Sequence, residues 1–161
     1  WARESLSLNG LADSGAVLER AVAYTGQPVP FVISHHEREL MYDPCVAWGG
    51  AEQDGWGTIM VDTVTFEQVA SSFDRIDLVD MDLQRAEREL VANSMDTLNA
   101  KVKRVHIGTH LPDIEDELRV HFAKAGWRNV WDFGCNRENE TPYGRIPFVD
   151  GVQSWINSRL S

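Results

Sequence analysis

The sequence predicts an α/β fold built on βαβ units. From residue 76 onward, extended segments alternate with amphipathic segments of helical period. The links between them are short, which sets successive strands side by side in a parallel sheet. The chain has 161 residues, of which 43% are hydrophobic and 25% charged. That size and balance suit one domain, expected to span residues 1–161, with a packed core.

Each element has its own justification. "WARESLSLNG" places Trp1, Leu6 and Leu8 on a helix that Asn9 and Gly10 stop. It reads as the back half of a helix, so upstream chain is expected. Residues 16–24, "AVLERAVAY", alternate as a strand. "GQPVPFVIS", 26–34, reads as a turn and an extended piece whose two prolines favour an edge. Residues 35–55 are irregular, with turn signals at Asp43-Pro44, Gly49-Gly50, Gly55 and Gly57. "TIMVDTVT" is extended, and "FEQVASSF" is a short helix capped by Thr65. "IDLVDMD", 76–82, is a strand. A helix over 84–99 follows, with Ala86, Leu90, Ser94 and Leu98 on one stripe. "VKRVHIGTH", 102–110, is the next strand. The helix after it carries Ile114, Leu118, Phe122 and Ala125 on its apolar face. Pro112, Asp113, Glu115 and Asp116 suit its first turn, and Gly126 suits its stop. "WRNVWDFG" is a strand, and the tail "FVDGVQSWINSRL" is open between strand and helix.

The charge balance narrows the partners. A net charge of −10 repels a phosphate backbone, and the basic cluster Lys101, Lys103, Arg104 is small. There is no run of ~18 apolar residues to span a bilayer. Cys45 and Cys135 form neither a disulfide framework nor a zinc pattern. They read as reduced thiols, with one bridge still open. The expectation is a cytoplasmic chain that binds neither nucleic acid nor membrane.

Ligands of open α/β sheets sit beyond the carboxyl ends of the strands. Asp80 and Asp82 lie at one such end, and Thr109 and His110 at the next. Period two places Asp80 and Asp82 on one face, so two carboxylates and an imidazole can meet in a crevice. The plainer reading is that these acids cap the following helix in solvent. A divalent metal on Asp80, Asp82 and His110 is chemically open, but the spacing is not specific and no metal is assigned. "SHHERE", 34–39, lacks zinc-ligand spacing and reads as a surface loop. Trp48 and Trp56 stand in the irregular loop as candidates to line an acceptor pocket. Trp127, Trp131 and Trp155 fall in regular elements and read as core.

Four segments resemble the FkbM-type family of S-adenosylmethionine-dependent O-methyltransferases. "IDLVDMDLQRAERELV" is similar to the family's "IDLLKIDVEGAELEVL". "HIGTHLPDIEDELRVHFAKAGW" follows its strand ending in Glu-x-His, with the helix and Gly-aromatic after it. "TVTFEQV" and "WARESLSLNG" match two earlier family segments. The resemblance implies a Rossmann-like class I methyltransferase sheet, mostly parallel, with helices on both faces and without the family's first strands. It implies S-adenosylmethionine as cofactor and a small-molecule or sugar hydroxyl as acceptor. Asp82 would orient or deprotonate that hydroxyl, with His110 as helper base. Arg20, Ala21, Val22 and Asp80 would lie along the cofactor. Glu87 would form a salt bridge or support the site. An upstream segment or a second copy would complete the sheet.

The sequence also departs from the family. Its Lys is Asp80 here, its Glu-Gly pair is Gln84-Arg85, and the Glu before the His is Gly108. The glycine-rich cofactor turn is absent from these 161 residues. The alternative is therefore a non-catalytic, truncated module that dimerises or binds a partner.

Overall fold

The computed structural model describes residues 2–34 and 56–160, and the side chains of residues 32–34 and 56 lie outside that description. Helix α1 (Ala2–Leu8) and the short strand β1 (Ala21–Val22) come first. Strands β2 (Val29–Ser34) and β3 (Trp56–Val61) pair antiparallel. Gly57 lies inside β3, not in the turn expected for it. Strand β4 (Thr63–Val64) pairs parallel with β1. Of the strand expected over 16–24, only Ala21 and Val22 are extended in a ladder. Helix α2 (Phe66–Ala70) starts where the sequence places it, with a reciprocal cap. Thr65 Oγ1 accepts the Gln68 N–H, and the Gln68 side chain accepts the Thr65 N–H.

The main sheet is built from β5 (Val79–Met81), β6 (Arg104–Thr109), β7 (Trp127–Phe133) and β10 (Gly151–Asn157), in the order β5-β6-β10-β7. Helix α3 (Glu87–Lys101) joins β5 to β6 and α4 (Pro112–Lys124) joins β6 to β7. Strands β5 and β6 pair parallel, while β10 is antiparallel to both β6 and β7. The sheet is therefore mixed, which corrects the mostly parallel expectation. The cause is the connection. Between β7 and β10 stands a hairpin, β8 (Arg137–Thr141) and β9 (Gly144–Phe148), instead of a crossover helix. The chain leaves β7 and comes back along it.

Helices α3 and α4 pack on each other and share one core with the sheet. Leu90, Val91 and Leu98 of α3, Val105 and Ile107 of β6, Ile114, Leu118 and Phe122 of α4, and Trp127 and Trp155 all belong to that core. Burying each such side chain contributes roughly 1.5–3 kcal/mol. Phe122 stacks on Trp155 at 5.1 Å and meets Trp127 edge-on at 5.2 Å. Along β10, Gly151, Gln153, Trp155 and Asn157 are buried, and Val152, Ser154 and Ile156 are half-buried. The half-buried side opens on a groove of about 260 Å³ with Leu78, Arg104, His106 and Trp131, and no helix residue lines it. Among the described residues the helices that pack on this sheet thus share one face, which corrects the expectation of helices on both. The same asymmetry explains Trp131. It is 55% exposed, not core, because it sits on an edge strand and points away from α4.

Candidate functional site

The parallel register of β5 and β6 assembles the site. Val79 pairs with Val105, Asp80 with His106 and Met81 with Ile107. The two carboxyl ends therefore emerge together, Asp82 after β5 and His110 after β6. His110 Nε2 lies 3.3 Å from Asp82 Oδ1, and His110 Nδ1 lies 3.5 Å from Glu87 Oε1. The imidazole stands between two carboxylates. Asp82 is solvent-facing, with 67% of its side chain exposed, whereas His110 keeps 10% and Glu87 none.

Glu87 is the first residue of α3, one residue past the Ala86 cap, which makes no side-chain hydrogen bond. Its Oε1 accepts the Leu83 N–H at 2.7 Å and so closes the turn between β5 and α3. Its Oε2 has no hydrogen-bond partner, and neither does His110 Nδ1. Burial pushes the Glu87 carboxyl above the usual carboxylate range, against the backbone N–H groups and His110, which pull it down. The turn itself is left-handed at two residues, Gln84 (φ 51°) and Arg85 (φ 85°). A side chain at Arg85 is strained where a glycine would not be. The Gln84 amide donates to Asp82 Oδ1 at 3.2 Å and helps to fix the carboxylate.

Gly108 borders the same crevice. A Cβ there would stand 3.6 Å from the Asp82 carboxyl carbon, in ordinary contact. A side chain there would pack directly on the Asp82 carboxylate and the Met81 carbonyl.

A pocket of about 510 Å³ abuts the crevice along the free edge of β5. Val22, Phe66, Val69, Met81, Leu83 and Leu90 supply apolar walls, with Arg75, Asp77 and Asp80 as its charged lining. Its volume lies within the range of small-molecule and cofactor sites.

The sequence candidates separate on this geometry. Asp82 and His110 come together. Asp80 does not join them; it faces the pocket and stands level with His106. Glu87 takes the place expected of Asp80 as the second carboxylate. Val22 lines the pocket beside Asp80, whereas Arg20 and Ala21 do not. Trp48 lies outside the described residues, as do His35, His36 and Cys45, and the Trp56 side chain lies outside them too. Glu87 was legible in one respect. It continues the buried stripe Leu90, Ser94 and Leu98 backwards by one turn.

A second buried carboxylate, Glu115 of α4, has a different setting. Its Oε1 accepts the Thr109 hydroxyl at 2.9 Å and the Cys135 N–H at 2.7 Å. Its Oε2 meets Arg119 and Arg137, each at 3.4 Å. Gly151 lies against it, and a Cβ there would collide with Glu115, Thr109 and the Cys135 backbone. The Cys135 thiol, buried beside this carboxylate, is pushed above its usual range by that burial first and by Glu115 second.

A protein of Jannaschia sp. (strain CCS1) described as "Putative methyltransferase" is 34% identical over 77 residues. The match takes in 48% of this chain. The similarity reaches a methyltransferase family and nothing finer. The chain spans 27% of that relative's length. No family model matches the chain, and no solved structure matches it significantly. No helix among the described residues is long and apolar enough to cross a membrane.

Proposed function

We propose that the chain carries the acceptor side of an S-adenosylmethionine-dependent O-methyltransferase of FkbM type, on a Rossmann-like sheet. The observation that carries this reading is the pair Asp82 and His110 at adjacent strand ends, next to a cofactor-sized pocket. The similarity to a described methyltransferase supports it.

The pocket suits the cofactor in size and in sign. Its apolar walls can take a flat ring, and Asp77 and Asp80 offer negative charge to a sulfonium cation. When bound, S-adenosylmethionine supplies an electrophilic methyl group on that sulfonium. What remains for this chain is to hold a hydroxyl in line with the methyl carbon and to take its proton. Asp82, exposed at the rim, accepts the hydroxyl hydrogen bond and orients the oxygen. His110 Nε2, within reach of Asp82, receives the proton as the oxygen–carbon bond forms. Glu87 on the Nδ1 side favours the imidazole tautomer that leaves Nε2 free to accept. The acceptor is a small-molecule or sugar hydroxyl. A further strand beside the free edge of β5, from more of the chain or from a second copy, belongs to the same reading.

Calorimetric titration with S-adenosylhomocysteine tests it. Binding that is lost when Val69→Trp fills the pocket, with the thermal melt retained, is the expected result. No binding, or binding indifferent to Val69→Trp, sinks the reading.

A further inference from the structure

We infer that Asp82, Glu87 and His110 hold a divalent first-row cation of the manganese type. One ligand atom from each residue lies within 4.8 Å of the others. Ligand atoms about 2.1 Å from a common ion stand about 3.0–3.4 Å apart at octahedral or tetrahedral angles, so the widest pair closes by about 1.5 Å when an ion binds. The three come from separate elements that the fold fixes: the end of β5, the start of α3 and the end of β6.

A cluster of acids alone would not argue for an ion. The second observation is what the buried members lack. Glu87 is wholly buried and its Oε2 has no partner; His110 is nine-tenths buried and its Nδ1 makes no hydrogen bond, with only the Glu87 Oε1 near it at 3.5 Å. Buried polar atoms are almost always satisfied, by protein, water or a bound ion, and two orphans beside a second carboxylate point to an ion. Among the described residues no Lys or Arg pairs with Asp82 or Glu87. The nearby Arg88 is turned away to Asp113 and Glu117. A divalent cation would neutralise two carboxylates and engage both buried groups; with it bound His110 serves as a ligand, and the remaining Asp82 oxygen takes the acceptor proton in its place.

The donor set selects the ion. One imidazole nitrogen with two carboxylate oxygens is softer than the all-oxygen shells of calcium or magnesium, and suits manganese or zinc. Three protein ligands leave coordination positions open for water or a substrate oxygen, as catalytic sites do. That the open position faces the acceptor hydroxyl rests on the methyltransferase reading; cation binding itself does not.

The test is titration of the full chain with Mn²⁺ after chelator treatment, followed by loss of the free six-line electron paramagnetic resonance signal. One saturable equivalent is expected. Asp82→Asn, His110→Gln and Glu87→Gln should each weaken binding by at least about tenfold. Asp96→Asn, on the exposed side of α3, should leave it unchanged. Asp82 is exposed, so its variant keeps the fold, and a thermal melt checks this. A Zn²⁺-induced shift of the His110 ring nitrogens gives a second readout. Absence of saturable binding below about 1 mM, or binding indifferent to all three variants, would overturn the proposal. Titration of S-adenosylhomocysteine in the presence of chelator keeps this result separate from the methyltransferase reading.

Discussion

Two glutamates stand in the first turns of α3 and α4, and both are buried. Glu115 has every oxygen engaged by a hydroxyl, a backbone N–H and two guanidinium groups. Glu87 has one oxygen engaged by a backbone N–H and a nearby imidazole, and the other by nothing. Burial alone does not separate them. Completeness of partners does. A carboxylate whose lone pairs are all met by the protein holds the fold together. One left open beside a strand-end Asp and His is what the proposed cation site rests on.

The largest effect expected from this contrast is at Glu115. Replacing it by Ala strands the Thr109 hydroxyl and the Cys135 N–H and removes the anion between Arg119 and Arg137. The loss should be about 3 kcal/mol, read by urea unfolding. A loss under about 1 kcal/mol would mean that water or Asp132 substitutes for it. Next comes the turn that presents Glu87. Arg85→Gly relieves a left-handed side chain at φ 85°, at the cost of a looser unfolded chain. A net gain of about 0.5–1 kcal/mol is expected in the same assay. A net loss would show that the Arg85 side chain makes a contact worth more than the strain.

The smallest effect is at the surface pair Arg88–Asp113. The Arg88 guanidinium holds the Asp113 carboxyl below the usual carboxylate range. The sign is that of a depressed acid. The contribution is present above the unfolded-state value and is lost as pH falls through the folded one. Asp113 is fully exposed and solvent screens the pair. Asp113→Asn should therefore lower the melting temperature only slightly at neutral pH, and the difference from wild type should vanish as pH falls through the folded-state value.

Much of this architecture was legible before any coordinates. The run β5–α3–β6–α4–β7 follows from hydrophobic period, from Pro112 at the start of α4 and from Gly126 after its end. The meeting of Asp82 with His110 follows from parallel strands whose ends lie on one side. The return of the chain was not legible. The hairpin "RENETPYGRIPF" is mostly polar and exposed, so it gives no alternation to read. Its turn is held by Thr141, whose hydroxyl donates to the Gly144 carbonyl and accepts the Tyr143 N–H. Antiparallel β10, one-sided helix packing and exposed Trp131 all follow from that hairpin. Glu87 is read from the sequence as a salt-bridge or supporting residue, but its full burial is not. A Glu at a helix start ordinarily serves the dipole in solvent, and only the fold shows that this one faces inward.

By this contrast Glu87 belongs to a proposed site and Glu115 to the scaffold. The most direct measurement is the unfolding free energy of Glu87→Gln against wild type in urea at neutral pH, without added metal. The amide still accepts the Leu83 N–H and removes a buried charge. Stability should hold within about 1 kcal/mol or rise. A loss of about 3 kcal/mol, the size expected of Glu115→Ala, would make Glu87 a second structural carboxylate with no place in a binding site.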